Sequence, residues 1–100
     1  MNFDIPLVKI TDDIFSLELF HGPTLAFKDI GARFMSRCLG YFAKERDEKI
    51  VVLVATSGDT GGAAASAFAG SKHVDMVILH PLNRVSPTQR LFMTATGADN

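Results

Sequence analysis

The sequence predicts an α/β unit, a parallel sheet covered by helices in three layers and preceded by a β-hairpin. Three observations predict it. Ile50-Val51-Val52-Leu53-Val54 and Val74 to Leu79 are continuous apolar runs rich in β-branched residues, the pattern of strands buried on both faces. Between them, residues 60–69 are nearly all Gly or Ala, with Phe68, so a helix there can lie close on a sheet. Ahead of both, two β-prone runs are separated by the three turn residues Thr11-Asp12-Asp13, the spacing of an antiparallel hairpin. The strand–helix–strand order implies parallel pairing of 50–54 with 74–79 through a right-handed crossover.

The elements follow in order. Residues 1–4 carry no periodicity and are expected to be loose. Pro6 to Ile10 is the first strand, with Pro6 admissible at its start. In Ile14 to Phe20 the residues alternate, Phe15, Leu17 and Leu19 on one face, Ser16 and Glu18 on a wetter one. His21-Gly22-Pro23-Thr24 breaks the strand. From Lys28 to about Glu45 the period becomes helical: Phe27, Ile30, Phe34, Cys38, Tyr41 and Phe42 form an apolar stripe, expected to face the core. Asp29, Arg33, Ser36, Arg37 and Lys44 lie away from it, and Gly31 on the stripe suggests close approach of another backbone. Arg46-Asp47-Glu48-Lys49 is a charged connection. Gly70 suits the end of the small-residue helix. His80-Pro81 ends the last strand, and Ser86-Pro87 suits an N-cap and first turn of a helix running to about Thr94.

Length and composition narrow the function classes. One hundred residues make one small domain, residues 1–100. Ten basic and eleven acidic residues are well mixed, with net charge −1, which argues against a nucleic-acid or membrane surface. No apolar run is long enough to span a membrane. A lone cysteine, Cys38, excludes an intrachain disulfide. With no secretion signal in residues 1–20, the expected location is cytoplasmic. His21, His73 and His80 are scattered without metal-ligand spacing, so no metal is expected. Gly97-Ala98-Asp99-Asn100 completes no element, which reads as a cut in a longer chain.

Two stretches can carry chemistry, each at a strand-to-helix junction, on the side where open parallel sheets bind ligands. The first is Leu19 to Gly31, which sets Lys28 among apolar neighbours at a helix N-terminus. Apolar surroundings lower the pKa of an ammonium group and make the amine nucleophilic, which suits Schiff-base chemistry with a carbonyl compound. The alternative is a helix-start lysine whose stem lies on Phe27 while its head reaches water. The second is Thr56-Ser57-Gly58-Asp59-Thr60-Gly61-Gly62. Its hydroxyls, free amides and glycines could cradle a carboxylate or phosphate. Alternatively it is a tight turn with Ser57 or Thr60 as N-cap and Asp59 favouring the helix dipole. It is neither a P-loop nor the G-x-G-x-x-G fingerprint. His21 lines a site or faces solvent equally well.

Together, Glu18-Leu19-Phe20-His21-Gly22-Pro23-Thr24-Leu25-Ala26-Phe27-Lys28-Asp29 and Ala55-Thr56-Ser57-Gly58-Asp59-Thr60-Gly61 resemble the threonine synthase family, pyridoxal-phosphate enzymes of the tryptophan-synthase β-like fold. The resemblance runs from about Pro6 to the end and implies most of that fold's smaller domain. It implies that Lys28 carries pyridoxal 5'-phosphate covalently and moves protons as the catalytic amine. It implies that Ser57, Gly58, Asp59 and Thr60 hold the substrate carboxylate, with Asp59 also on the cofactor's ring-hydroxyl side. The reaction implied is conversion of O-phosphohomoserine and water to threonine and phosphate, in threonine biosynthesis. Family members are several times longer, and the cofactor-phosphate loop is missing here. The chain therefore reads as a fragment, inactive alone, whose partner is the missing remainder or, through exposed apolar surface, another copy of itself. Alternatives are a fragment of another pyridoxal-phosphate lyase, such as a threonine-synthase-like phospho-lyase or a serine/threonine dehydratase, and a non-catalytic α/β interaction module.

Overall fold

Backbone pairing divides the strands into two small sheets linked by helices. The computed structural model describes residues 1–100. Its elements are β1 (Leu7–Lys9), β2 (Phe15–Leu17), α1 (Lys28–Arg46), β3 (Ile50–Ala55), α2 (Asp59–Phe68), β4 (Val74–Leu79) and α3 (Pro87–Thr94). β1 and β2 pair antiparallel, Leu7 opposite Leu17 and Lys9 opposite Phe15. β3 and β4 pair parallel, from Ile50 opposite Val74 to Ala55 opposite Leu79. The α/β class, the hairpin and the parallel pair are thus as the sequence predicts.

α2 is the centre of the molecule. Ala63, Ala64, Ala65 and Phe68 are buried along it, because it lies against β3 and β4 while α1 and α3 both pack on it. Its small side chains let Phe92 and Met93 of α3 come close. Gly70 takes φ 72° just past its end, and the Ser71 amide donates to the Phe68 carbonyl at 3.0 Å, which stops the helix. α3 starts on a capping box: Ser86 accepts from the Gln89 amide, and the Gln89 side chain accepts from the Ser86 amide, satisfying two otherwise orphaned donors.

Burial departs from the sequence reading in four places. First, β3 and β4 are covered on one face only. Val74 is fully buried, but Val51 and Leu53 are each 63% exposed, with Val77 and Leu79 on the same open face. The helices form one layer here, not two. Second, β2 is inverted: Phe15 and Leu17 are exposed beside exposed Leu7, while Ser16 is the half-buried residue.

Third, α1 turns its aromatic stripe outward. Phe27, Phe34, Tyr41 and Phe42 are all more than half exposed, Phe34 at 71%. The helix packs on α2, and its buried residues are Asp29 and Ala43, with Ser36 and Gly40 half-buried. Apart from Asp29 these side chains are small, whereas the outward stripe is bulky. Gly31 is exposed, with open space where a side chain would be, and serves no close approach. Fourth, residues 1–4 are tethered: the Arg33 guanidinium donates to Asn2 Oδ1 at 2.9 Å and lies over the Phe3 ring. The Cα radius of gyration is 15.4 Å, above the roughly 13 Å of a compact hundred-residue domain. That value fits a molecule with apolar faces still open.

Candidate active site

The loop that delivers Lys28 is held by a buried carboxylate. Asp29, 1% exposed, accepts from the Thr24 amide through Oδ2 at 2.9 Å and from the Thr24 hydroxyl through Oδ1 at 2.6 Å. A buried carboxylate needs such donors, because losing water without replacement is expensive. Gly22 packs directly on that carboxylate, and a side chain there would overlap it. The chain then turns through Leu25 at φ 60°, with the Leu25 amide donating to the Gly22 carbonyl at 3.0 Å. A left-handed leucine costs about 1–2 kcal/mol. Hydrogen bonds to a charged acceptor contribute about 1.5–3 kcal/mol each, so the two bonds at Asp29 offset the strain. No side chain caps α1 at Phe27. Its first turn closes tightly, with the Asp29 amide on the Ala26 carbonyl at 3.0 Å.

Lys28 is the first residue of α1 and is half-buried. Its Nζ sits 4.6 Å from the centroid of the Phe27 ring, a cation–π distance. The same side chain lines a cleft of about 530 Å³ between α1 and α2, with Leu19, Phe27 and Ile30 on one wall and Thr60, Ala63 and Ala64 on the other. The amine thus stands over the Phe27 ring, and the residue lines a largely apolar cleft.

The start of α2 is built by Thr56, the first residue of the second stretch, and not by Ser57 or Thr60. Thr56 Oγ1 accepts from the Gly58 amide at 3.0 Å and from the Gly61 amide at 3.1 Å. Neither Ser57 nor Thr60 caps the helix; the N-cap position is Gly58, without a side-chain bond. Gly58 has φ 151° and is buried against Gln89 of α3, leaving no room for a side chain. The amides of Asp59 and Thr60 keep no acceptor within the chain, so two donors at a helix N-terminus face outward, where an anion is favoured. Asp59 Oδ1 accepts from Gln89 Nε2 at 2.9 Å.

The structure brings Lys28 and Thr60 together on one cleft. Gly58 shapes the turn beside it, exposed Ser57 carries no hydrogen bond from its side chain, and Asp59 is directed to Gln89. His21 stays off the cleft, exposed, with Nε2 2.6 Å from Glu18 Oε2. The roles of three contributing residues escaped the sequence reading. By periodicity Asp29 falls on the wet side of α1, although the threonine five positions earlier in the same loop is a usable signal. Thr56, two residues before Gly58, is another. For Gln89 the Ser86-to-Gln89 spacing signals a capping box, but nothing local signals its reach to Asp59.

No protein-family model matches the chain. It is 54% identical to the threonine synthase of Serratia marcescens over 96 residues, covering 95% of this chain and 22% of that protein. The chain thus spans about a fifth of such a relative. Among solved structures, the pyridoxal-phosphate-bound threonine synthase of Brucella melitensis superimposes with a TM-score of 0.89 at 49% identity, over 94% of this chain and 20% of that one. The Escherichia coli threonine synthase gives 0.78 at 48% identity, over 91% of this chain and 21% of that one.

Proposed function

We propose that this chain, which corresponds in sequence and fold to a segment of the threonine synthases, supplies the cofactor-bearing lysine of such an enzyme. The observation that carries the proposal is the shared cleft, which the half-buried Lys28 lines together with Thr60 of α2 and apolar side chains of both helices. The residues present suit pyridoxal 5'-phosphate. Lys28 offers a primary amine for the aldehyde, Leu19 and Ile30 offer apolar surface for the ring, and the free amides of Asp59 and Thr60 offer donors to an anion. When bound, the cofactor supplies an electron sink for a substrate carbanion.

The chain's own residues do the rest. Lys28 would hold the cofactor through Nζ, and the same amine would serve as the acid and base that moves protons on the substrate's carbons. Its position at the first turn of a helix anchored by Asp29 restricts where that amine can swing. The amides of Asp59 and Thr60, with the hydroxyls of Ser57 and Thr60, receive the substrate carboxylate. Gly58 lets it approach the backbone, and the apolar walls exclude water from the amine. The substrate is O-phosphohomoserine, and the products are threonine and phosphate.

The rest of an enzyme several times longer is the natural partner of this chain. Phe34 and Tyr41 on α1, and Val51 and Leu53 on β3, form open apolar surfaces, which a larger body would cover; left open, they favour self-association. The chain by itself therefore releases no phosphate from O-phosphohomoserine. Two experiments test the proposal. In the first, the chain is incubated with millimolar pyridoxal 5'-phosphate, reduced with borohydride and peptide-mapped. Lys28 should be labelled about tenfold more than Lys9, Lys44, Lys49 or Lys72, as expected of an amine held at a cleft; uniform labelling would sink the assignment. In the second, the chain replaces the matching segment of the Escherichia coli enzyme. Phosphate release should survive the exchange, and its loss would refute a threonine-synthase role.

A further inference from the structure

We propose that Asp29 is a positioning residue for Lys28: its buried carboxylate, through Thr24, sets where the lysine amine stands in the cleft. The proposal rests on the reading of Lys28 given above and adds a second residue to it.

Three features converge on Asp29. It is 1% exposed and the immediate neighbour of Lys28, so any shift of its backbone moves the lysine. It spends both oxygens on a single loop residue, Thr24, while the first amides of its own helix close on the Ala26 and Phe27 carbonyls. And the loop it grips contains Leu25 at φ 60°, a conformation that persists only where the surroundings enforce it. Gly22 closes the arrangement from the other side, leaving the carboxylate no room to move. α1 has no side-chain cap at Phe27, so the direction in which the helix begins is set by this clamp. Without it the loop relaxes from Leu25, and the amine is no longer held over Phe27 at the cleft.

The test uses the labelling of the whole chain by pyridoxal 5'-phosphate and borohydride, with thermal melts followed by circular dichroism on every variant. Asp29→Asn is the discriminating change. Its amide oxygen can accept from the Thr24 amide and its NH₂ can donate to the Thr24 hydroxyl, so the clamp survives while the negative charge is lost. Asp29→Asn should keep the preference for Lys28 within about twofold, whereas Asp29→Ala should reduce it by about tenfold, to the level of Lys44, having lost two charge-assisted bonds. Thr24→Val, which removes one bond and keeps the shape, should give a loss of about threefold.

If wild-type labelling shows no preference for Lys28, the reading of the lysine fails. If wild type prefers Lys28 and Asp29→Ala does so equally, only the positioning role fails. Equal loss in Asp29→Asn and Asp29→Ala would overturn it too, because charge and not geometry would then matter. Should Asp29→Ala show no cooperative melt, Thr24→Val decides: a melting variant with undiminished preference overturns the proposal.

Discussion

The two helix starts that frame the cleft solve the same problem by opposite means. At α1 a side chain from inside the helix, Asp29, reaches back and grips the loop before it. At α2 a side chain from before the helix, Thr56, reaches forward and grips the first-turn amides. Each leaves exposed what its position is suited to present. The first presents a lysine amine with its helix direction fixed; the second presents the amides of Asp59 and Thr60. Each also relies on one glycine against which a side chain from elsewhere is packed, Gly22 under Asp29 and Gly58 under Gln89. The comparison teaches that a lysine and a helix start with free amides can line one cleft when one helix start is anchored from within and the other from without.

Substitutions sharpen that contrast, beginning with the largest effect. Lys28→Ala in the Escherichia coli enzyme carrying this segment should lower phosphate release from O-phosphohomoserine by at least roughly 10²–10⁴-fold, the range for loss of a positioned proton-transfer group. Near-normal turnover would leave the first helix start without a chemical role. Asp29→Ala comes next, because it strands the Thr24 amide and hydroxyl in a buried place. The expected loss of stability is about 2–4 kcal/mol, read from urea melts of the chain. A loss under half a kilocalorie would mean the loop holds itself.

Gly58→Ala should destabilise by about 2 kcal/mol, since φ 151° and the packed Gln89 both oppose a side chain. A double variant with Gln89→Ala would recover the packing part alone. Thr56→Val should lose about 1–2 kcal/mol, less than Asp29→Ala because its two acceptor bonds involve no charge and are only partly buried. If the order of these two is reversed in parallel melts, the distinction between the helix starts is wrong. Smallest is Asp59→Asn. The amide oxygen still accepts from Gln89, so only the carboxylate's attraction to the helix dipole is removed, about 0.5 kcal/mol and screened by salt. A salt-independent loss well above that would show Asp59 doing more than completing the turn.

Much of the architecture was legible in residue order. Ile50–Val54 and Val74–Leu79 announced a parallel pair, Thr11-Asp12-Asp13 a hairpin, and Ser86-Pro87 a capped helix, because each depends on chemistry within a few residues. Lys28 and Thr60 were singled out by their junctions, and the fold brings both onto one cleft. The residues that build the junctions were harder to see. Thr56 and Asp29 look like ordinary polar positions until the turn they serve is drawn, and Gln89 acts thirty residues away from Asp59.

The sequence by itself determined which segments become strands and helices, how β3 and β4 pair, and which two loops lead into α1 and α2. Those properties follow from local periodicity, turn chemistry and chain connectivity. Only the tertiary structure decided which face of each element is inside. The aromatic stripe of α1 is the more hydrophobic face, yet Asp29 and Ala43 are the buried residues and Phe34 stays exposed. Periodicity identifies two unlike faces, but burial depends on what surface lies opposite. Against a helix of alanines and glycines, a small face with a satisfied carboxylate packs closer than a row of rings.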